Sequence, residues 1–238
     1  MKINGIDIGE YGARQWNVTP GFSSISNKSQ WIEGAAMPLL LESGIGMKKI
    51  KVSVMLEGEG RGIIWGNARK LIAALLLPAE IQLDGFPNLY HMVLNNASSA
   101  ELSLQKFHKA TLELVGYEHG QEITASGTGS RFYIDNPGNI ETPAVMEITP
   151  FIGKTSLVIK GLVRDRYTKE DKLVTVKRVS QRKKIVLDGE KGLFTEEGFN
   201  KMGDIDIWGL PTLRPGTNLI EMDQADQEMK LRFKPRYI

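Results

Sequence analysis

Three histidines, His91, His108 and His119, supply all the imidazoles of the chain, and cysteine is absent. No two of the histidines stand at i,i+2 or i,i+4 spacing, so a metal site would have to be assembled from distant segments with carboxylates completing the set. Isolated histidines on strands and turns read instead as ordinary polar residues. Lack of cysteine removes thiolate nucleophiles, disulfides and Cys-bearing zinc or iron–sulfur centres, and it fits folding in a reducing compartment. No Gly-x-Ser-x-Gly elbow presents a serine nucleophile. Two acidic pairs, Glu196-Glu197 and Asp204/Asp206, hold the carboxylates that glycoside hydrolysis uses. If Asp204–Trp208 is a strand, Asp204 and Asp206 share one face, and a solvated face alternating with Ile205 and Ile207 accounts for them without catalysis. No catalytic residue, metal ligand or cofactor is assigned from these patterns.

Gly58-Glu59-Gly60-Arg61-Gly62 precedes a helical stretch and invites comparison with a phosphate cradle. It lacks both the third glycine of a dinucleotide fingerprint and the Gly-Lys-Ser/Thr of a P-loop, so the glycines read as a sharp strand-to-helix turn. Lys177-Arg178-Val179-Ser180-Gln181-Arg182-Lys183-Lys184 is a concentrated basic run. It is suited either to a polyanion, with strongly salt-dependent binding, or to a hairpin tip whose charges discourage edge pairing. Acidic Glu170, Asp171, Asp188 and Glu190 flank it, which favours the hairpin tip. The Asn-x-Ser/Thr triplets at Asn17, Asn27 and Asn96 read as chance.

The elements that must position these groups are mostly strands. Apolar residues alternate with polar ones along Lys49–Leu56, and the same period of two recurs in Leu102–Leu104, Thr111–Val115, Val145–Ile148, Ser156–Leu162, Leu173–Val179, Lys184–Leu187, Asp204–Trp208, Leu219–Met222 and Met229–Phe233. One helix is predicted, over Arg61–Leu77, because Ile64, Ala68, Leu71, Ile72 and Leu75 recur at helical spacing and Pro78 stops it. Its apolar face is expected to cover a sheet. The seven-residue apolar run Leu71–Leu77 is far too short to span ~30 Å of hydrocarbon, and Met1–Glu10 lacks the apolar stretch of a signal peptide.

With 238 residues, 41% hydrophobic and 24% charged, the chain has the composition of one or two globular domains. A Gly, Ser and Thr-rich stretch at His119–Ser130, followed by Asn136-Pro137-Gly138-Asn139, reads as linker and turn chemistry. The expected boundary is near residue 135, with domain one at 1–135, carrying helix 61–77, and domain two at 136–238. Residues 1–136 hold twelve basic and thirteen acidic side chains, and residues 137–238 hold eighteen and fifteen. Neither half therefore carries the field of a dedicated nucleic-acid binder, and the net charge is +2.

Two motifs in the second half carry a resemblance. Asn136-Pro137-Gly138-Asn139, Pro143 and the strand Val145-Met146-Glu147-Ile148 form the first. Ile185-Val186-Leu187-Asp188, with the later Gly209-Leu210-Pro211-Thr212-Leu213-Arg214-Pro215-Gly216-Thr217-Asn218, forms the second. Together they resemble the distal tail (Dit) family of siphophage tail components. On physical grounds alone, Pro215-Gly216 suits a type II turn that folds Leu213 back toward Leu219-Ile220 and joins two strands. In the first half, early strands around Trp16 and Trp31, strand 49–56 and the helix follow the family order. There Glu33-Gly34-Ala35-Ala36-Met37-Pro38 stands where family members carry a Gly-Arg-x-Gly-like turn.

The resemblance implies a mainly β, non-enzymatic chain of two β-sandwich-like domains, the first with one packed helix and the second galectin-like or jelly-roll. It implies a homo-hexameric ring at the tip of a non-contractile tail, with heterologous contacts between subunits. Phe22, Trp31 and Met37, in the segment Gly21–Leu41, are the expected ring or partner contacts. Asn136, Gly138 and Pro143 mark the expected interdomain passage, and Pro215, Gly216 and Asn218 the structural turn. The implied partners are the tail tube protein, the tape measure protein and a tail-associated hub or lysin, with DNA passing through unheld and no membrane insertion. The implied location is the virion, after assembly in host bacterial cytoplasm. Two other classes compete. A carbohydrate-binding sandwich would use Phe194, Phe199 and Trp208 as a stacking platform, although these read first as core residues, and a polysaccharide-cleaving enzyme would rest on the acidic pairs alone.

Overall fold

The computed structural model describes residues 1–101, 106–165 and 168–238, so the expected strand Leu102–Leu104 lies outside the described residues. The chain divides into two compact units, Met1–His119 with Ile238, and Gly120–Tyr237.

The first unit contains β1 (Lys2–Ile3), β2 (Ile6–Asp7), β3 (Ala13–Thr19), β4 (Ser23–Gln30), β5 (Leu39–Glu57), α1 (Arg61–Ala73), β6 (Ala79–Gln82), β7 (Leu89–Glu101) and β8 (Phe107–His119). Its sheet runs in the order β2-β1-β6-β7-β8-β5-β3, with β4 on β5. Hydrogen bonding is thus continuous through one antiparallel sheet where a two-sheet sandwich was expected. Alternation along β5 buries Ile50, Val52, Val54 and Leu56 in the core and leaves Lys49 and Lys51 in water. Each such apolar side chain contributes about 1.5–3 kcal/mol on burial.

Helix α1 adds Ile64, Ala68 and Leu71 to the same core. It ends at Ala73, short of the expected Leu77. Pro78 disfavours helical backbone at Leu77 and has no N–H to donate back. The sheet claims the next turn as well, because the Leu94 N–H donates to the Leu75 carbonyl at 3.0 Å. Leu75 is fully buried while Leu76 and Leu77 face solvent, so tertiary packing sets the helix end.

The second unit contains β9 (Ile123–Thr128), β10 (Arg131–Asn136), β11 (Thr142–Pro150), β12 (Lys154–Arg164), β13 (Asp171–Val179), β14 (Ile185–Asp188), β15 (Leu193–Glu196), β16 (Phe199–Asn200), β17 (Ile205–Asp206), β18 (Thr212–Leu213), β19 (Gly216–Met222) and β20 (Gln227–Phe233). One sheet is ordered β10-β19-β12-β13-β17. The other is ordered β16-β15-β14-β11-β20-β9, with β18 also on β11. Met146 and Ile148 of the second sheet meet Leu157 and Ile159 of the first in one continuous core. That is the layer arrangement of a β-sandwich.

The units divide at Gly120, earlier than the expected passage at 135. The Gly, Ser and Thr-rich stretch read as linker holds a strand, β9, which pairs with β20 over Ile123–Thr128. Its small residues are packing elements: a Cβ on Gly127 would lie 3.0 Å from the Phe132 ring. Composition alone reads such a segment as loop, whereas here the aromatic of the next strand covers it.

Candidate functional site

The two motifs meet within the second unit. Cα partners across β10 and β19 include Asn136 with Gly216, and across β11 and β18 they are Thr142 with Leu213 and Pro143 with Thr212. Asn136, 1% exposed, accepts the Gly138 N–H at 3.0 Å and donates to the Leu213 carbonyl at 3.2 Å. Its side chain therefore ties one motif to the other across some eighty residues of sequence. Gly138 is required by close approach, since a Cβ there would lie 2.7 Å from the Arg236 carbonyl oxygen.

Asn218, 2% exposed, holds the other side of this corner. Its Oδ1 accepts the Arg214 N–H at 2.9 Å, and its Nδ2 donates to the carbonyls of Arg214 at 2.9 Å and Gly216 at 2.8 Å. Gly216 has φ +80°, the left-handed value a type II turn needs at its third residue. The turn does not close a hairpin, however. Strand β18 pairs with β11 in one sheet, and β19 pairs with β10 and β12 in the other, so Pro215-Gly216 carries the chain between sheets. Asn136, Gly138 and Pro143 all stand inside the second unit, joined to the turn residues.

Phe22, Trp31 and Met37 lie on a different feature, in the first unit. Strand β5 pairs with β8 over Lys48–Glu57 and with β4 over Leu39–Lys48. Among the described pairings, residues 39–47 thus have β4 alone as neighbour and form a two-stranded ribbon beyond the broad sheet. Phe22 is 87% exposed, Met37 76% and Trp31 64%. Ile25, Leu39 and Met47 on the same ribbon are also exposed. A two-stranded ribbon is marginal on its own in water.

The polar groups that suggested chemistry are engaged in ion pairs and packing. In the basic run, Lys177 pairs with Asp206 at 2.7 Å, Arg178 with Asp204, and Lys184 with Glu147 at 3.4 Å. The run connects β13 in one sheet to β14 in the other, so it is not a hairpin tip. Asp204 ends a short 3-10 turn, Met202–Asp204, outside the strand expected over Asp204–Trp208, which is reduced to Ile205–Asp206. The hydrogen bond from Arg178, opposed by burial and reinforced by the charges of Arg178 and Lys201, holds Asp204 below the usual carboxylate range. Burial works to raise Glu196, but hydrogen bonds from Lys201 and the Ser180 N–H outweigh it and keep this carboxyl low too. A general acid for glycoside cleavage needs the opposite shift.

The histidines are spread through the first unit. His91 stacks on Tyr117 at 5.1 Å, His108 packs on Trp65 at 5.5 Å, and buried His119 has Nε2 3.8 Å from Glu80. Among the described residues no three metal-ligating side chains gather. The glycine run precedes α1 as expected, and a Cβ on Gly58 would lie 3.1 Å from Ile64. Of the proposed aromatic platform, Phe194 is core at 2% exposure, whereas Phe199 at 79% and Trp208 at 85% stand in solvent. Both were read first as core residues. Each lies on a two-residue strand or its flanking loop, where alternation is too short to report a face.

Sequence reasoning missed the buried ion pair of the first unit. Lys48, 5% exposed, pairs with Glu118, and the Asn88 Nδ2 donates to the same carboxylate at 2.6 Å. Lys48 is in step with buried Ile50 and Val52 on β5, but a lysine at that slot, ahead of the apolar alternation, gives no sequence signal of burial without its partner Glu118.

The resemblance read from the motifs holds at the level of fold. The SPP1 Dit (gp 19.1) protein, described as a paradigm of the hub adsorption apparatus in phages infecting Gram-positive bacteria, superposes with a TM-score of 0.77 at 16% identity, covering 99% of this chain and 98% of that one. Chains of the phage P2 baseplate in its activated conformation, solved with Ca and with Sr, each match with a TM-score of 0.52 at 12% identity over 96% of this chain and 92% of theirs. No family model matches the sequence, and no curated protein does so either.

Proposed function

We propose that this chain is a structural, non-enzymatic component of a siphophage tail tip, forming a homo-hexameric ring that joins the tail tube to the tail-tip hub and lets DNA through. The observation that carries this reading is the end-to-end fold match to a hub protein of the adsorption apparatus. The apolar ribbon of β4 and β5 supports it. A ring needs one surface of each subunit to meet a different surface of the next, and an uncovered ribbon bearing Phe22, Trp31 and Met37 is suited to be one of the two. In this role the tail tube, tape measure and hub or lysin proteins are the partners, the virion is the place of action, and assembly occurs in host cytoplasm. Twelve basic against thirteen acidic residues in the first half suit a conduit that does not retain phosphate backbone by counterion release.

Electron microscopy and native mass spectrometry of the full chain, alone and mixed with its tube and hub proteins, test the proposal. A six-fold ring with a central hole is expected, and Phe22→Asp with Trp31→Asp should abolish it while leaving the unfolding midpoint unchanged, because both side chains are exposed. A chain that stays monomeric in every mixture, or a double variant that still closes the ring, would overturn it.

A further inference from the structure

We propose that the second unit carries a saccharide-binding site at the depression between β15, β16 and the turn Lys201–Asp204. The depression has a volume of about 200 Å³, room for a single sugar ring. Phe199, on its rim, exposes 79% of its surface, and an aromatic face set beside polar groups is the arrangement on which the C–H face of a pyranose stacks.

Beneath the rim the polar groups are fixed. Lys201, 6% exposed, donates through Nζ to Glu196 Oε2 at 3.0 Å and to the Arg178 carbonyl at 2.9 Å, and lies 3.6 Å from Asp204 Oδ2. The lowered Glu196 and Asp204 carboxyls stay ionised at neutral pH. Around this base some hydrogen-bonding capacity remains. Glu197 Oε1 accepts the Lys184 N–H at 2.6 Å, while its Oε2 has no partner within the described residues. Asn200 Oδ1 accepts the Met202 N–H at 3.0 Å, which leaves the Nδ2 hydrogens available. A free acceptor and a free donor lining one depression suit a vicinal diol, whose hydroxyls each donate and accept.

Charge narrows the ligand class. Lys183 and Lys201 face Glu196, Glu197 and Asp204 across the site, so a polyanion finds no net attraction, and a neutral polyhydroxylated ring fits better. Backbone geometry points to the same place. Of the non-glycine residues with left-handed φ, Glu197 (50°) lines this depression, and residues held in such conformations concentrate at binding sites.

Titration of the full chain with methyl glycosides of glucose, galactose, N-acetylglucosamine and rhamnose, followed by amide shifts in two-dimensional NMR, tests the site, with glycerol as the non-ring polyol control. At least one glycoside should shift the amides of Glu196–Lys201 with millimolar affinity. Phe199→Ala should weaken that binding tenfold or more at an unchanged melting temperature, and Trp208→Ala should leave it alone. No shift from any glycoside up to about 50 mM, shifts mapping elsewhere, equal binding of glycerol, or undiminished binding by Phe199→Ala would each overturn the proposal. The readout needs no ring, so its failure leaves the tail-tip role standing.

Discussion

Replacing Asn218 by alanine removes the one side chain that ties both ends of the Pro215-Gly216 turn. Three hydrogen bonds of 2.8–2.9 Å are lost at a residue 2% exposed, so little water can replace them. A hydrogen bond contributes about 0.5–1.5 kcal/mol net, and an orphaned buried group costs about 1–3 kcal/mol. Loss of the three bonds, with the Arg214 N–H and two carbonyls left without that partner, gives an expected loss of about 3 kcal/mol. For a unit of this size that corresponds to a fall in Tm of about 12 °C. Urea unfolding followed by far-UV circular dichroism measures it, with Thr217→Ala as the control, since the Thr217 hydroxyl bond is long and exposed at 3.4 Å. Asn218→Asp adds a second readout. It keeps the acceptor for Arg214 but turns a carboxylate toward the Arg214 and Gly216 carbonyls, which raises its folded pKa above the unfolded value. Its stability is therefore greatest below the unfolded pKa of about 3.9 and is lost as pH rises through the folded pKa. A loss under about 1 kcal/mol for the alanine variant, or an aspartate variant indifferent to pH, would refute the corner's role in holding the sheets.

Two further predictions concern the first unit. Glu118→Ala strands the buried Lys48 ammonium and should destabilise the unit by about 3–5 kcal/mol, whereas removing both charges together with Lys48→Met and Glu118→Leu should recover most of that; denaturant midpoints of the two variants and the parent chain decide it. Burial, aided by the charge of Glu118, pushes the Tyr90 phenol up to about 12. Ultraviolet titration should then show a tyrosine ionising near pH 12 that is absent in Tyr90→Phe. Because the folded pKa is raised, the associated stability is complete below about pH 10 and is lost as pH climbs toward 12.

Strands with clear alternation were readable residue by residue. Lys49–Leu56 lies within β5, Ser156–Leu162 within β12 and Met229–Phe233 within β20, because a half-buried strand writes its buried face into every second residue. β9 was not readable, since its small residues owe their place to Phe132 and β20 rather than to a pattern of their own. Two-residue strands such as β16 and β18 are too short for any period. Phe22 and Trp31 enter through the family resemblance and not through any local pattern, and both side chains are exposed. Lys201 did not stand out, as its burial depends on Arg178, Glu196 and Asp204 arriving from other segments.

By itself the sequence determined the β character, the single helix behind a glycine turn, and the two motifs. These are properties of neighbouring residues: periodicity, proline and glycine backbone preferences, and side chains that bond their own turn. Tertiary structure alone decided where the units divide, that the two motifs form one corner, that α1 stops at Ala73, and that Phe199 stands over a polar depression. Each of those depends on which strands pair, and pairing is set by burial of the whole core, a sum over segments that no local window contains.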